Sequence, residues 1–198
     1  MAAPRTGSNV LAAQISASLE PLPWHIPYQT GLGHRCFYEP DEDANIWAVY
    51  QSAIAHSDPQ FVVKIMSKQA DLYQDILDSN SFKIRLYRED IVGQIASFYI
   101  ADQRNTWHQI HLDSCEDYTV EIDLPRLKQV VADIMYSNDL LSRHNARFDC
   151  TLSYESLGYI DSPWNAPTHQ PDNLADLRTA IGDILDQQRM PRFLHIPS

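Results

Sequence analysis

Apolar residues recur at two distinct periods along the chain, and the change of period marks the elements. From Asn173 onward, Leu174, Leu177, Ile181, Ile184 and Leu185 return every three or four positions, which predicts an amphipathic helix over "PDNLADLRTAIGDILDQQ". The same spacing runs through Leu127, Val130, Val131, Ile134 and Leu141, with Pro125 suited to a first helical turn. A third helix is predicted from "PDEDANIWAVYQSAIAH", where Asp41 caps and Glu42 and Asp43 favour the positive end of the helix dipole. A fourth is predicted over "SDPQFVVKIMSKQADLYQDILDSN", although "FVVKIM" by itself fits a strand. A short one falls within Ser8 to Leu19.

The middle of the chain alternates instead. "FKIRLYR" sets Phe82, Ile84 and Leu86 against Lys83 and Arg85. "GQIASFYIAD", "TWHQIHL" and "YTVEIDL" follow, with "DQRN" as a hairpin loop after the first of them. In the last segment Tyr118, Val120, Ile122 and Leu124 face one way and Thr119, Glu121 and Asp123 the other. Consecutive short strands pair most simply as an antiparallel meander. The fold expected is therefore α+β, with a four-stranded antiparallel meander over about residues 82–124 packed in two layers against several helices. A further strand is expected around Phe148 to Tyr154.

Residues 1–40 depart from this pattern. They are rich in proline and carry Trp24, Tyr28, Phe37 and Tyr38, so they predict an aromatic arm, with 41–198 as a single α+β domain. The chain has 198 residues, enough for a sizeable core without disulfides. It holds 26 acidic and 15 basic residues, a net charge of −11. The densest basic run, "FKIRLYRED", ends in two acids, which argues against direct nucleic-acid binding, and the acidic net charge suits a basic protein partner. The three cysteines, Cys36, Cys115 and Cys150, are an odd count with no close pair. With no apolar run long enough to span a membrane and no apolar leader, this predicts reduced thiols and a cytoplasmic protein.

The chemistry-bearing stretches are few. "WHQIHLDSCED" brings His108, His111, Cys115 and acids together, but residues two apart share a strand face, so His108 and His111 point opposite ways. Metal ligands must converge on one point, and no metal site is expected. Cys150, beside Asp149 and near His144, has no glycine-rich elbow or helix start to activate it, and a buried thiol is expected. No phosphate loop, dinucleotide fingerprint or zinc motif occurs, so no cofactor is implied. The leading expectation is a non-enzymatic binding or regulatory domain of inhibitor, immunity or chaperone type, with Trp24, Tyr28 and Trp164 as contact residues. The alternative is a small enzyme or ligand binder with a pocket between sheet and helices. There Arg85, Gln109, His111 and Glu121 would line the open sheet face and Cys150 would be the nucleophile.

Overall fold

The computed structural model describes residues 36–38, 62–67, 74–104, 117–157 and 170–189, together with Pro4, Arg5, Ser8, Leu11 and Ile15. In chain order these residues form β1 (Cys36–Tyr38), β2 (Val62–Lys64), α1 (Gln74–Asp78), β3 (Ile84–Tyr87), α2 (Ile91–Arg104), α3 (Leu124–Arg143), β4 (Cys150–Ser153) and α4 (Leu174–Arg189). Short 3-10 turns flank β4, at Asn145–Arg147 and Tyr154–Leu157. The chain divides into two compact units, one of residues 1–89 and 137–166, the other of 90–136 and 167–198.

The four-stranded antiparallel meander is not what forms. The described residues are mostly helical and hold two parallel pairs, β1 with β2 and β3 with β4. "FKIRLYR" does contain a strand, but its partner is β4, in the register Ile84↔Cys150 to Tyr87↔Ser153. Backbone and side-chain bonds at the start of both strands set that register. Asp149 and Cys150 N–H donate to the Lys83 carbonyl at 2.9 and 3.2 Å, while Asp149 Oδ2 accepts the Lys83 N–H at 2.7 Å. A parallel pair needs a long crossover, and here the intervening chain carries α2 and α3. In the same unit Ile65, Leu77, Leu86, Leu140 and Leu141 are buried. β2 falls where a helix was expected; its adjacent valines are stiff at χ1 and suit a strand. Helical backbone is found at Gln74–Asp78.

The second unit is built from α2, α4 and residues 117–136. Its core joins Ile95, Ala96 and Tyr99 of α2 to Val120, to Leu127, Val130, Val131 and Ile134 of α3, and to Leu177, Ile181, Ile184 and Leu185 of α4. Helix α2 replaces the expected strand "GQIASFYIAD" and takes "DQR" of the expected hairpin loop into its last turn. Ile91, Ile95 and Tyr99 keep a helical spacing, but Ile, Phe and Tyr also favour strands, so the local pattern is ambiguous. The deciding local signal is Asp90. Its Oδ1 accepts the Gly93 N–H at 2.9 Å and its carbonyl accepts the Gln94 N–H at 2.9 Å, an N-cap arrangement.

Residues 117–123 form no strand, yet the alternation in "YTVEIDL" is real. Val120 is buried and Tyr118 and Ile122 are half-buried, while Thr119, Glu121 and Asp123 are exposed. The backbone pairs with a side chain instead of a neighbouring strand. Val120 N–H donates to Asn173 Oδ1 at 3.0 Å, and Asn173 Nδ2 donates to the Val120 carbonyl at 2.8 Å. Asp123 then caps α3, its carbonyl accepting the Leu127 N–H at 2.8 Å. The expected helices 41–56 and the strand at 106–112 lie outside the described residues, as does nearly all of the 1–40 arm.

The Asp90 cap also explains why residue 93 is glycine. A Cβ there would sit 2.2 Å from Asp90 Oδ2 and 2.8 Å from its Cγ. Asp90 would have to swing away from the cap and from Arg178, which it meets at 3.2 and 3.1 Å. Losing the cap costs about 1 kcal/mol and the exposed ion pair a few tenths, against a helix-propensity gain of about 1 kcal/mol for alanine. Gly93→Ala is therefore expected to be neutral to mildly destabilising alone, and stabilising in an Asp90→Ala background. Urea unfolding of the two single variants and the double variant measures this coupling; strict additivity would show that no clash exists.

Candidate functional site

Strand β3 and the residues on either side of it, Lys83 and Arg88, carry the cations of the basic run. On a strand Arg85 and Tyr87 share one face and Ile84 and Leu86 the other. Arg85 Nη1 donates to Asn145 Oδ1 at 2.8 Å and Nη2 to Ser142 Oγ at 3.0 Å, and its guanidinium carbon lies 5.8 Å from the Tyr87 ring centre. Ser142 spends its own proton on the Asn138 carbonyl at 2.9 Å, leaving its lone pairs for the arginine. Arg85 thus ties β3 to the end of α3 and the turn beyond it. Lys83 Nζ donates to the carbonyls of Ser79 and Ser81 at 2.7 Å each. Arg147 bonds Gln74 and sits 2.9 Å from Asp78 Oδ1.

Arg88 is different. Its guanidinium carbon stands 5.0 Å from the Tyr154 ring centre, and its nearest carboxylate oxygen, Glu155 Oε1, is 3.8 Å away. The other Glu155 oxygen accepts the Glu89 N–H at 3.0 Å, which holds that carboxylate back from the arginine. Arg88 Nε is buried with no hydrogen-bond partner, as is Arg85 Nε. Arg5, in left-handed backbone at φ 60°, shares this corner. Burial lowers the Arg5 pKa first, the positive charge of Arg88 lowers it further, and Tyr154 opposes both.

Of the candidates read from the sequence, Arg85, Glu121 and Cys150 are among the described residues. Cys150 is a half-buried free thiol, not a fully buried one. It pairs with Ile84, so it lies on the face of β4 opposite to that of Arg85 across the sheet. Asp149 is occupied with Lys83, and His144 precedes the 3-10 turn Asn145–Arg147. Glu121 belongs to the other unit, exposed, with its carbonyl bonded by Tyr99 Oη and Gln103. His111, Gln109, Trp24, Tyr28 and Trp164 lie outside the described residues. Among the described residues no three His, Cys, Asp or Glu side chains are grouped to hold a metal ion. No described helix is long and apolar enough to cross a membrane.

No family model, curated protein or solved structure matches the chain. The residues themselves therefore carry any functional argument.

A second surface lies on α3. Its buried stripe is the one the periodicity predicts, but the opposite side is not uniformly polar. Leu124 is 51 % exposed, Met135 39 % and Tyr136 57 %. At about 100° per residue, Lys128, Ala132, Met135 and Asp139 fall on one outward strip, and Tyr136 flanks it. Neighbouring polar groups are already tied within the surface: Arg126 to Asp102 at 2.6 and 2.9 Å, Gln129 to Asp133 at 2.8 Å and Arg143 to Asp139 at 2.5 Å. Neither Arg88 nor the α3 strip was singled out as a site by sequence patterning. Arg88 was visible within the basic run; Met135 and Tyr136 were visible as apolar residues lying off the buried stripe.

Proposed function

We propose that the protein is a binding or regulatory domain that acts through protein contacts. The observation that carries this reading is the exposed pair Met135 and Tyr136 on α3. Methionine and tyrosine are enriched where proteins meet, because one adapts its shape and the other brings a large rigid ring with a polar tip. Exposed acids lie on the same helix, at Asp133 and Asp139, and the chain as a whole carries −11. That charge suits a partner with basic groups and disfavours direct contact with nucleic acid. Trp24, Tyr28 and Trp164 remain proposed as additional anchors. The free thiol of Cys150 and the odd cysteine count support work in the cytoplasm.

The test is affinity capture from the source cell with wild type and with Met135→Asp/Tyr136→Asp. Both side chains are exposed, so stability is expected to change by no more than about 0.5 kcal/mol. A partner held by wild type is expected to be lost by the variant, with binding weakened about thirtyfold or more, the loss of an interface anchor of roughly 2 kcal/mol. Equal capture of every partner by a folded variant would overturn the assignment of this face.

A further inference from the structure

The outward strip of α3 carries charges of both signs in a particular order. Its residues are Lys128, Ala132, Met135 and Asp139, at intervals of four, three and four. That is the spacing of a coiled-coil seam, here on the side of the helix away from its buried stripe. All four side chains are exposed, as is Tyr136 beside them. The end residues of the strip stand about 17 Å apart along the axis. Lys128 makes no ion pair among the described residues. Its helix neighbours three and four positions away are Leu124, Pro125, Val131 and Ala132, and none of them carries charge. Asp139 gives its Oδ2 to Arg143 at 2.5 Å, which leaves Oδ1 for a second donor.

This order is self-complementary. Two copies of α3 laid antiparallel about a two-fold axis, midway between Asp133 and Ile134, set Lys128 of each copy against Asp139 of the other. The same axis sets Ala132 against Met135, so the small side chain leaves the space that the long one fills. Tyr136 then covers the edge of the alanine. A parallel pairing would oppose Lys128 to Lys128 and Asp139 to Asp139, which the charges disfavour. A surface that matches itself under a two-fold is what a closed dimer requires. We infer that the protein forms a homodimer through antiparallel pairing of these α3 strips. This rests on the reading of the Met135 and Tyr136 face as a protein contact and names its occupant, a second copy of the chain. Lys128 of that copy is the basic group the contact calls for. The strip is short and each chain carries −11, so the dimer is weak and reversible, at the small end of specific interfaces.

The experiment is sedimentation equilibrium of the full chain from about 1 to 300 µM in about 0.15 M salt, which covers weak association and screens the net charge. Wild type is expected to pass from monomer to dimer within this range. Met135→Asp/Tyr136→Asp is expected to weaken the dimer at least thirtyfold. A single charge reversal acts twice across the two-fold. Lys128→Asp and Asp139→Lys are therefore each expected to weaken the dimer at least tenfold by setting like charges together. An equimolar mixture of these two variants is expected to regain association as a heterodimer, because both pairs are then of opposite sign. Asp186→Lys, at an exposed position of α4, changes the net charge as Asp139→Lys does and is expected to associate as wild type. Circular dichroism verifies that each variant is folded. Should a charge variant fail to fold, Met135→Asp/Tyr136→Asp decides. The proposal is overturned by a wild type that stays monomeric, by a dimer that the folded α3 variants leave unchanged, or by a mixture that associates no better than its components. A monomer whose Met135 and Tyr136 still capture a different protein overturns the second copy as occupant and leaves the contact face standing. A monomer that captures nothing through them overturns both.

Discussion

Tyr99→Ala is expected to be the most destabilising single truncation in the second unit, costing about 3–5 kcal/mol from lost burial and the cavity left behind. The Tyr99 ring is 0 % exposed within a cluster of residues from α2, α3 and α4. Its hydroxyl adds a polar contribution at the edge of that cluster. Tyr99 Oη donates to the Glu121 carbonyl at 2.8 Å and accepts the Asp123 N–H at 2.9 Å. One phenol thus pins both ends of the turn that leads into α3. Tyr99→Phe keeps the packing and removes those two bonds, so about 1–2 kcal/mol is expected for it. Urea denaturation of both variants separates packing from pinning. A Tyr99→Phe loss equal to that of Tyr99→Ala would show that the hydroxyl, not the ring, holds the unit together.

The same residue makes a pH prediction. Burial is the main cause raising the Tyr99 pKa, while the bonds to Asp123 and Gln103 pull the other way and only partly offset it. A phenol whose folded pKa exceeds its unfolded value, near 10, leaves stability intact below that pH. As pH rises past about 10 the unfolded chain ionises first, and the contribution is lost through the higher folded value. Wild-type stability should then fall towards that of Tyr99→Phe. A difference between the two that stays constant from pH 7 to 11 would contradict the burial argument.

Asn173→Ala carries the second large effect, about 2–4 kcal/mol. The Asn173 amide offers one acceptor and one donor to the N–H and carbonyl of Val120, a residue only 5 % exposed. Truncation leaves two backbone groups without partners in a site that water reaches poorly, at about 1–3 kcal/mol each. The helix start survives, because the Asn173 carbonyl still accepts the Leu177 N–H at 3.1 Å. Asn173→Asp makes a sharper test. It keeps the acceptor and sets a carboxylate oxygen against the Val120 carbonyl, so it should be nearly as destabilising at neutral pH. Protonation restores a donor, so this variant should regain stability relative to wild type as pH falls. Hydrogen exchange at the Val120 amide should quicken most in Asn173→Ala, which removes its acceptor, and less in Asn173→Asp, which keeps one. Equal protection in all three proteins would rule out the side chain as the strand substitute.

Several elements were legible in the sequence by itself. Helices α3 and α4 follow from a hydrophobic period that no strand shares; of the residues the period selects all are buried but Leu174, which is half-buried, while Leu140 is buried without having been selected. Strands β3 and β4 follow from β-favouring residues between polar breaks. The alternation told buried from exposed side chains over 118–123 but failed at Leu124, expected on the inward face and 51 % exposed at the start of α3. What the sequence did not carry was the identity of each partner. An alternating segment states which side chains turn inward, but its backbone is satisfied equally by another strand or by one asparagine side chain distant in the chain. The helix over "GQIASFYIAD" turned on Asp90 and on packing against α4, because β-favouring residues left the local preference divided. The parallel pairing of β3 with β4 likewise rests on a contact between Lys83 and Asp149, 66 positions apart. Local preference decides an element when one period fits. Where two fit, or where a polar group needs a partner, the choice belongs to residues that only the tertiary structure brings together.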